Sequence, residues 1–208
     1  MKGLLILAGG KATRLKNKPF VKFNGIPMLK VIYAELSGLF DEVAISARNR
    51  ELENEIKRLT NNSRIIYDKG EFNSIRSPLV GIVSSFMEMK SRIVFVVSCD
   101  VPLVKKEVTE IILSGINDFD AAVPEDENGF VEPLIAAYDR KAMLAAAKSA
   151  LDSDKLSVRD ALKELNVNYI TVEKFKKVDP LLLSFRNVNS REDLDDLMKL
   201  KLKFLNEN

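Results

Sequence analysis

Short runs of apolar residues, many of them β-branched, alternate along this chain with longer stretches whose apolar positions recur at helical spacing. The runs Leu4–Leu7, Glu42–Ser46, Arg64–Tyr67, Ile93–Val97 and Ala121–Val123 predict strands. Between them Met28–Ser37, Glu51–Leu59, Leu79–Met89 and Lys106–Ser114 predict helices. Alternation at this spacing predicts βαβ units, and so an α/β fold. Its form is a three-layer α/β/α sandwich around a mostly parallel central sheet. The segment "RIVFVVS" is nearly all apolar, as a central strand buried on both faces requires.

After residue 124 the rhythm loosens. "PEDENG" predicts a polar turn, "FVEPLIAAYD" a strand and "KAMLAAAKSAL" a helix. Ser157–Asp160 and Ser190–Asp193 both have capping-box spacing, each opening a helix. The last helix is expected from about Glu192, with Leu194, Leu197, Met198 and Leu202 on one face. No repeat, low-complexity tract or linker composition interrupts the chain. One domain over residues 1–208 is expected, its second half completing the sheet.

Composition narrows the function. The 208 residues carry 32 basic and 30 acidic side chains, a net charge of +2. That balance is too even for a protein devoted to nucleic acid, so anion recognition must be local. One cysteine allows no disulfide within the chain and fits a reducing compartment. No apolar run approaches the ~20 residues of a membrane helix. The start "MKGLLILAGG" has a lysine and an apolar stretch like a signal peptide, but the stretch is short and predicts a buried strand. A cytoplasmic location, with no nucleic-acid or membrane partner, is expected. The chain has no histidine, which removes histidine-based nucleophile pairs and imidazole zinc sites. Chemistry is left to carboxylates, lysine, arginine, hydroxyls, backbone amides or a hard metal.

Two segments could carry such chemistry. "LAGGKATRLKNKP" sets Gly9 and Gly10 directly after the first strand, followed by four basic side chains within eight residues. In parallel sheets, ligands bind outside the carboxyl ends of the strands. Glycines there let backbone N–H groups approach an anion closely, with Arg14 and Lys18 adding full charges and Lys11 and Lys16 as weaker candidates. A tight strand-to-helix turn with solvated lysines explains the same residues, and neither a G-x-G-x-x-G nor a P-loop pattern is present. "VFVVSCDVPLV" then sets Asp100 past the end of another strand, at the same sheet edge. Asp100 is either a turn residue before Pro102 or a Mg²⁺ ligand beside a phosphate. With no histidine to activate it, Cys99 reads as a small core residue.

Taken with "FNGIPMLKVI", "SPLVGIVSSF", "EPLIAAY" and "FRNVNSREDL", these segments resemble the MobA-like molybdenum cofactor guanylyltransferases. These belong to the nucleotidyltransferases with a Rossmann-like GT-A fold. The resemblance runs from Leu4 to about Leu197 and implies a single nucleotidyltransferase domain with no added acyltransferase-type domain. It implies that Leu7, Ala8, Gly9 and Gly10 contact the guanine nucleotide and that Lys18 and Arg14 face its phosphates. It further implies that Asp68 touches the nucleotide, that Asp100 holds Mg²⁺, and that Asn187 and Asn189 lie near the metal and the pterin. Asn189 or Ser190 also suits the N-cap of the last helix, and Ser77-Pro78 suits the start of another. Glu132 beside Pro133 reads equally as an exposed acid at a strand end.

Two departures stand out. The family loop reads arginine-methionine-glycine-x-aspartate-lysine, whereas this chain has Arg14-Leu15-Lys16-Asn17-Lys18, one residue shorter. Lys16 thereby becomes a second candidate for the phosphate role. The family often has an asparagine after the second strand, where "SARN" offers Ser46, Arg48 or Asn49. The implied activity is Mg²⁺-dependent transfer of GMP from GTP to the phosphate of molybdopterin, releasing pyrophosphate. Transient contact with other cofactor-biosynthesis proteins or recipient enzymes would accompany it. Alternatives are transfer to another acceptor (cobinamide phosphate or phospholactate), molybdopterin cytidylyl transfer, or a non-catalytic nucleotide-binding regulator.

Overall fold

The structure, a computed structural model, describes residues 1–9, 17–72 and 74–207. In chain order the strands are β1 Lys2–Leu7, β2 Lys22–Phe23, β3 Ile26–Pro27, β4 Glu42–Ala47, β5 Arg64–Tyr67, β6 Ile93–Ser98, β7 Ala121–Glu125, β8 Ile135–Asp139 and β9 Val167–Thr171. The α-helices are α1 Met28–Leu36, α2 Glu53–Leu59, α3 Pro78–Glu88, α4 Lys106–Ser114, α5 Arg140–Asp152, α6 Val158–Leu162 and α7 Arg191–Glu207. Every predicted strand and helix before residue 124 is present, with ends shifted by at most two residues.

Seven strands form one sheet in the order β5-β4-β1-β6-β8-β7-β9. β5, β4, β1 and β6 are parallel neighbours. In β1, Leu4 and Ile6 point to one face and Leu5 and Leu7 to the other, all buried, because helices cover both faces. One apolar layer joins the sheet to α3, α5 and α6, and the other joins it to α1, α2 and α4. The N-terminal run is thus a central strand, paired on both sides.

The exception to parallel order is β8, which runs antiparallel between β6 and β7. After β7 the chain turns back through the polar "PEDENG" instead of crossing by a helix. Asp126 Oδ1 accepts the Asn128 and Phe130 N–H groups at 2.8 and 2.9 Å, and Gly129 supplies the left-handed turn residue at φ 77°. The predicted strand over "FVEPLIAAYD" is therefore half loop: regular pairing begins only at Ile135, opposite Val97. This return sets Glu132–Leu134 beside the carboxyl end of β6, where the Ser98 N–H donates to the Leu134 carbonyl at 3.0 Å.

A third, smaller apolar group packs Phe23 and Met28 against Leu183, Val188 and Leu197. Phe23 belongs to a hairpin whose two-residue turn, Asn24-Gly25, takes φ 48° and 79°, the signature of an Asn-Gly turn between paired strands. Leu194 and Met198 add to this group, as expected for the apolar face of α7, while the Leu202 side chain lies outside the described residues. Both predicted capping sites open helices. Ser190 and Asp193 exchange bonds reciprocally, and Ser157 Oγ accepts from Arg159 N–H, one residue earlier than the box spacing implies.

Candidate active site

Four parallel strands, β5, β4, β1 and β6, end together, and their ends build a cleft. The β1–β4 ladder continues past β1, where Ala8 N–H donates to the Ser46 carbonyl at 2.9 Å. Asp68 N–H donates to Ala47 at 3.2 Å and Cys99 N–H to Leu7 at 3.1 Å. Leu7–Gly9, Arg48, Asp68 and Asp100 are thereby fixed around a cavity of about 500 Å³. Gly9 favours this close approach, because a Cβ there would crowd the Arg48 backbone nitrogen at 3.2 Å.

Lys18 projects into this cleft from a short 3-10 turn, Lys18–Phe20. Asn17 before it takes the left-handed conformation at φ 54°, and Pro19 after it fixes the turn. The Lys18 ammonium donates to Asp100 Oδ2 at 2.7 Å and to Asn189 Oδ1 at 2.8 Å. Asn189 comes from the far end of the chain, held because the Val188 N–H donates to the Asp100 carbonyl at 2.8 Å and the Val188 side chain is fully buried. Ser190 and Asp193 take over the capping of α7, which leaves the Asn189 amide oxygen for Lys18. A fully buried apolar side chain contributes about 1.5–3 kcal/mol. The packing of Phe23, Met28 and Val188 therefore outweighs the polar contacts in setting this geometry.

A second cavity of about 300 Å³ shares Ser98, Asp100 and Asn189 with the first, and adds Glu132, Arg159 and Asn187. Asp100 and Asn189 thus border both compartments. Among the expected site residues, Leu7, Ala8, Gly9, Lys18, Asp68, Asp100 and Asn189 line the larger cavity and Asn187 lines the smaller. Gly10, Lys11, Arg14 and Lys16 lie outside the described residues. Of the "SARN" candidates, Arg48 and Asn49 line the larger cavity, while Ser46 is buried beneath Gly81 of α3. Ser77 caps α3 as expected, its Oγ accepting from Leu79 N–H at 3.0 Å, and Pro78 borders both cavities.

Sequence reasoning passed over Arg159 as a site residue. It sits two positions after the Ser157 cap, where a lone arginine reads as a solvated helix residue. Only the docking of α6 beside the β7–β8 return brings it to the cavity. There it donates to the Val131 carbonyl at 3.2 Å and lies over the Phe130 ring at 6.0 Å.

The electrostatics separate the acids. Burial pushes the Asp68 carboxyl up to about 6, opposed by Arg48. Burial also raises Glu132; Arg159 opposes this, while the charges of Asp100 and Asp126 reinforce it. Cys99 is buried in the core, and burial with the neighbouring Asp100 charge pushes its thiol up to about 12, leaving no nucleophile.

A divalent metal would have at most two protein carboxylates to bind among the described residues, since no cluster of three acidic or thiol ligands occurs among them. Asp100 suits that role. Its Oδ1 is buried and has no hydrogen-bond partner, although Oδ2 is held by Lys18. One carboxylate plus phosphate oxygens and water is the usual donor set for Mg²⁺ at nucleotides. Among the described residues, no helix is long and apolar enough to cross a membrane.

Comparison with known proteins gives concordant matches. The family model "MobA-like NTP transferase domain" matches residues 4–168. A molybdenum cofactor guanylyltransferase of Desulfosudis oleivorans is 31% identical, over 92% of this chain and 91% of the relative. A probable molybdenum cofactor guanylyltransferase of Methanocaldococcus jannaschii is 32% identical over 92% and 96%. Among solved structures, the molybdopterin-guanine dinucleotide biosynthesis protein A of Archaeoglobus fulgidus superposes with a TM-score of 0.81 at 25% identity. That match covers 98% of this chain and all of the other.

Proposed function

The chain belongs to the MobA-like NTP transferase family, and on that footing we propose that it is a molybdenum cofactor guanylyltransferase. It moves GMP from GTP to the phosphate of molybdopterin and acts as one nucleotidyltransferase domain in the cytoplasm. The observation that carries this reading is the shared wall of the two cavities. Asp100 and Asn189 border both, so a nucleotide in the larger and a phosphorylated acceptor in the smaller would meet at Asp100.

In the reaction, an oxygen of the acceptor's phosphate attacks the α-phosphorus of GTP. The new P–O bond forms in line as the bond to the bridging β-phosphate oxygen breaks, and pyrophosphate leaves with that electron pair. No enzyme-linked intermediate is required, which suits a chain with no histidine. Catalysis then rests on positioning and on fixed charge. The backbone of Leu7–Gly9 and the Asp68 carboxyl frame the nucleoside. The Lys18 ammonium, with Arg14 by resemblance, neutralises the β- and γ-phosphates, and Gly10 by resemblance contacts the nucleotide. Asn187 and Asn189 orient the acceptor's phosphate.

Transferases of this family generally use a divalent metal with the nucleotide. We assign Mg²⁺ to Asp100, where it would neutralise charge on the reacting phosphate oxygens. The substrates are small molecules, GTP and molybdopterin, and transient contact with other cofactor-biosynthesis proteins or recipient enzymes completes the proposal.

The test is direct. The protein is incubated with each NTP, Mg²⁺ and molybdopterin, and pyrophosphate and dinucleotide are assayed. Guanine dinucleotide is expected. Preference for CTP, or product only with cobinamide phosphate or phospholactate, would reassign the substrates. Tight GTP binding with no product from any acceptor would make the chain a non-catalytic binder.

A further inference from the structure

The smaller cavity contains a carboxylate that the reaction above leaves without a task. We propose that Glu132 is the acceptor-recognising residue, taking the ring N–H and the adjacent exocyclic amine of the acceptor's pyrimidine edge while the acceptor's phosphate reaches Asp100. This rests on the assignment of molybdopterin as acceptor.

Three observations support it. Glu132 is half-buried on the wall of the 300 Å³ cavity that opens onto Asp100 and Asn189. Among the described residues, no hydrogen bond or salt bridge engages its carboxylate; the Arg159 guanidinium, bonded to the Val131 carbonyl, acts on it only through its charge. Its backbone is held rigidly, with the Glu132 N–H donating to the Pro124 carbonyl at 3.0 Å and the Glu132 carbonyl accepting from Ile135 N–H at 3.1 Å. A half-buried carboxylate with no hydrogen bond, and only the charge of Arg159 to offset its desolvation, is better explained by a ligand with donors than by stability.

A pterin's 2-amino-4-oxopyrimidine edge offers adjacent N–H groups, which a carboxylate accepts in a two-bond pair. The same charge repels an acceptor bearing its own carboxylate, such as phospholactate. Sites that bond a substrate's polar edge discriminate strongly because a mismatched ligand leaves buried groups unpaired.

The experiment compares wild type with Glu132→Gln and Glu132→Ala. Molybdopterin is titrated anaerobically at saturating GTP, and GTP at saturating molybdopterin. Loss of a charged two-bond contact is expected to raise KM for molybdopterin by roughly tenfold or more, with KM for GTP unchanged. The melting temperature of Glu132→Gln should equal or exceed that of wild type, because the carboxylate makes no hydrogen bond that the amide would lose and its desolvation is relieved. Unchanged KM for molybdopterin, or equal rises in both KM values, would overturn the proposal while leaving the guanylyltransferase assignment intact. A wild-type protein that makes no dinucleotide from molybdopterin overturns both.

Discussion

Lys18 and Asp100, separated by 82 positions in sequence, form an ion pair with the ammonium 2.7 Å from Oδ2 and both side chains only 16% exposed. The lysine thus stands beside the carboxylate oxygen that is otherwise the natural partner of a cation. Nucleotide phosphates would draw the ammonium away and free Asp100 at the same moment.

Asp100→Asn removes the site's negative charge but keeps its shape. Turnover should fall by about 10²-fold or more, the usual scale for losing a group that stabilises transition-state charge. GTP binding should remain measurable by calorimetry. A variant with near-normal kcat would mean that the metal sits elsewhere.

Lys18→Ala should raise KM for GTP. It should also tighten Mn²⁺ binding in the absence of nucleotide, since Asp100 loses its resident cation. Calorimetric titration with Mn²⁺ measures this independently of activity. If Lys16→Ala weakens GTP binding more than Lys18→Ala does, the phosphate role belongs to Lys16 and the loop register shifts accordingly.

Asp68 has a carboxyl raised by burial to about 6 from an ordinary value of 3.8. A folded-state pKa above the unfolded one means that the folded protein binds the extra proton. The resulting stability is present below about pH 4 and is lost as pH rises through about 6. Asp68→Asn should therefore stabilise the protein at pH 7.5 by about 1 kcal/mol once solvent screening of the partly exposed carboxyl is allowed for, a shift of roughly 2–4 °C in Tm, and the gain should shrink towards zero near pH 4. GTP affinity should fall in the same variant. Thermal melts across this range check the sign.

Glu42 tests the fold away from the cleft. Burial alone would raise its carboxyl, but hydrogen bonds from Ser91 and Lys90 and the charge of Arg64 together hold it below the ordinary 4.5. Its Oε2 accepts from Ser91 Oγ at 2.7 Å, Ser91 N–H at 2.8 Å and Lys90 N–H at 3.0 Å. With the folded pKa depressed, this stability is present above about 4.5 and is lost as pH falls. Glu42→Ala leaves those donors unanswered and should cost about 1–3 kcal/mol at pH 7, the difference from wild type narrowing below pH 4. Urea titrations at both pH values measure it.

Gly9 after the first strand, the buried runs of β4 and β6, and the caps at Ser77 and Ser190 were legible because each depends on neighbours within a few residues. So was the meeting of Lys18 with Asp100, since the segments that carry them follow apolar strands of a parallel sheet and emerge at one edge. Local pattern could not supply the antiparallel β8 or the edge strand β9. "FVEPLIAAYD" has strand composition throughout, and only the competition between a turn held by Asp126 and pairing with β6 decides where the strand begins. The sequence by itself therefore determined the layers and the sheet edge at which Lys18 and Asp100 meet. The tertiary structure decided that Asn189 reaches Lys18, that Arg159 reaches the β7–β8 return, and that Glu132 faces the same cleft as Asp100. Those meetings rest on long-range packing of side chains such as Phe23, Met28 and Val188, which no periodicity along the chain records.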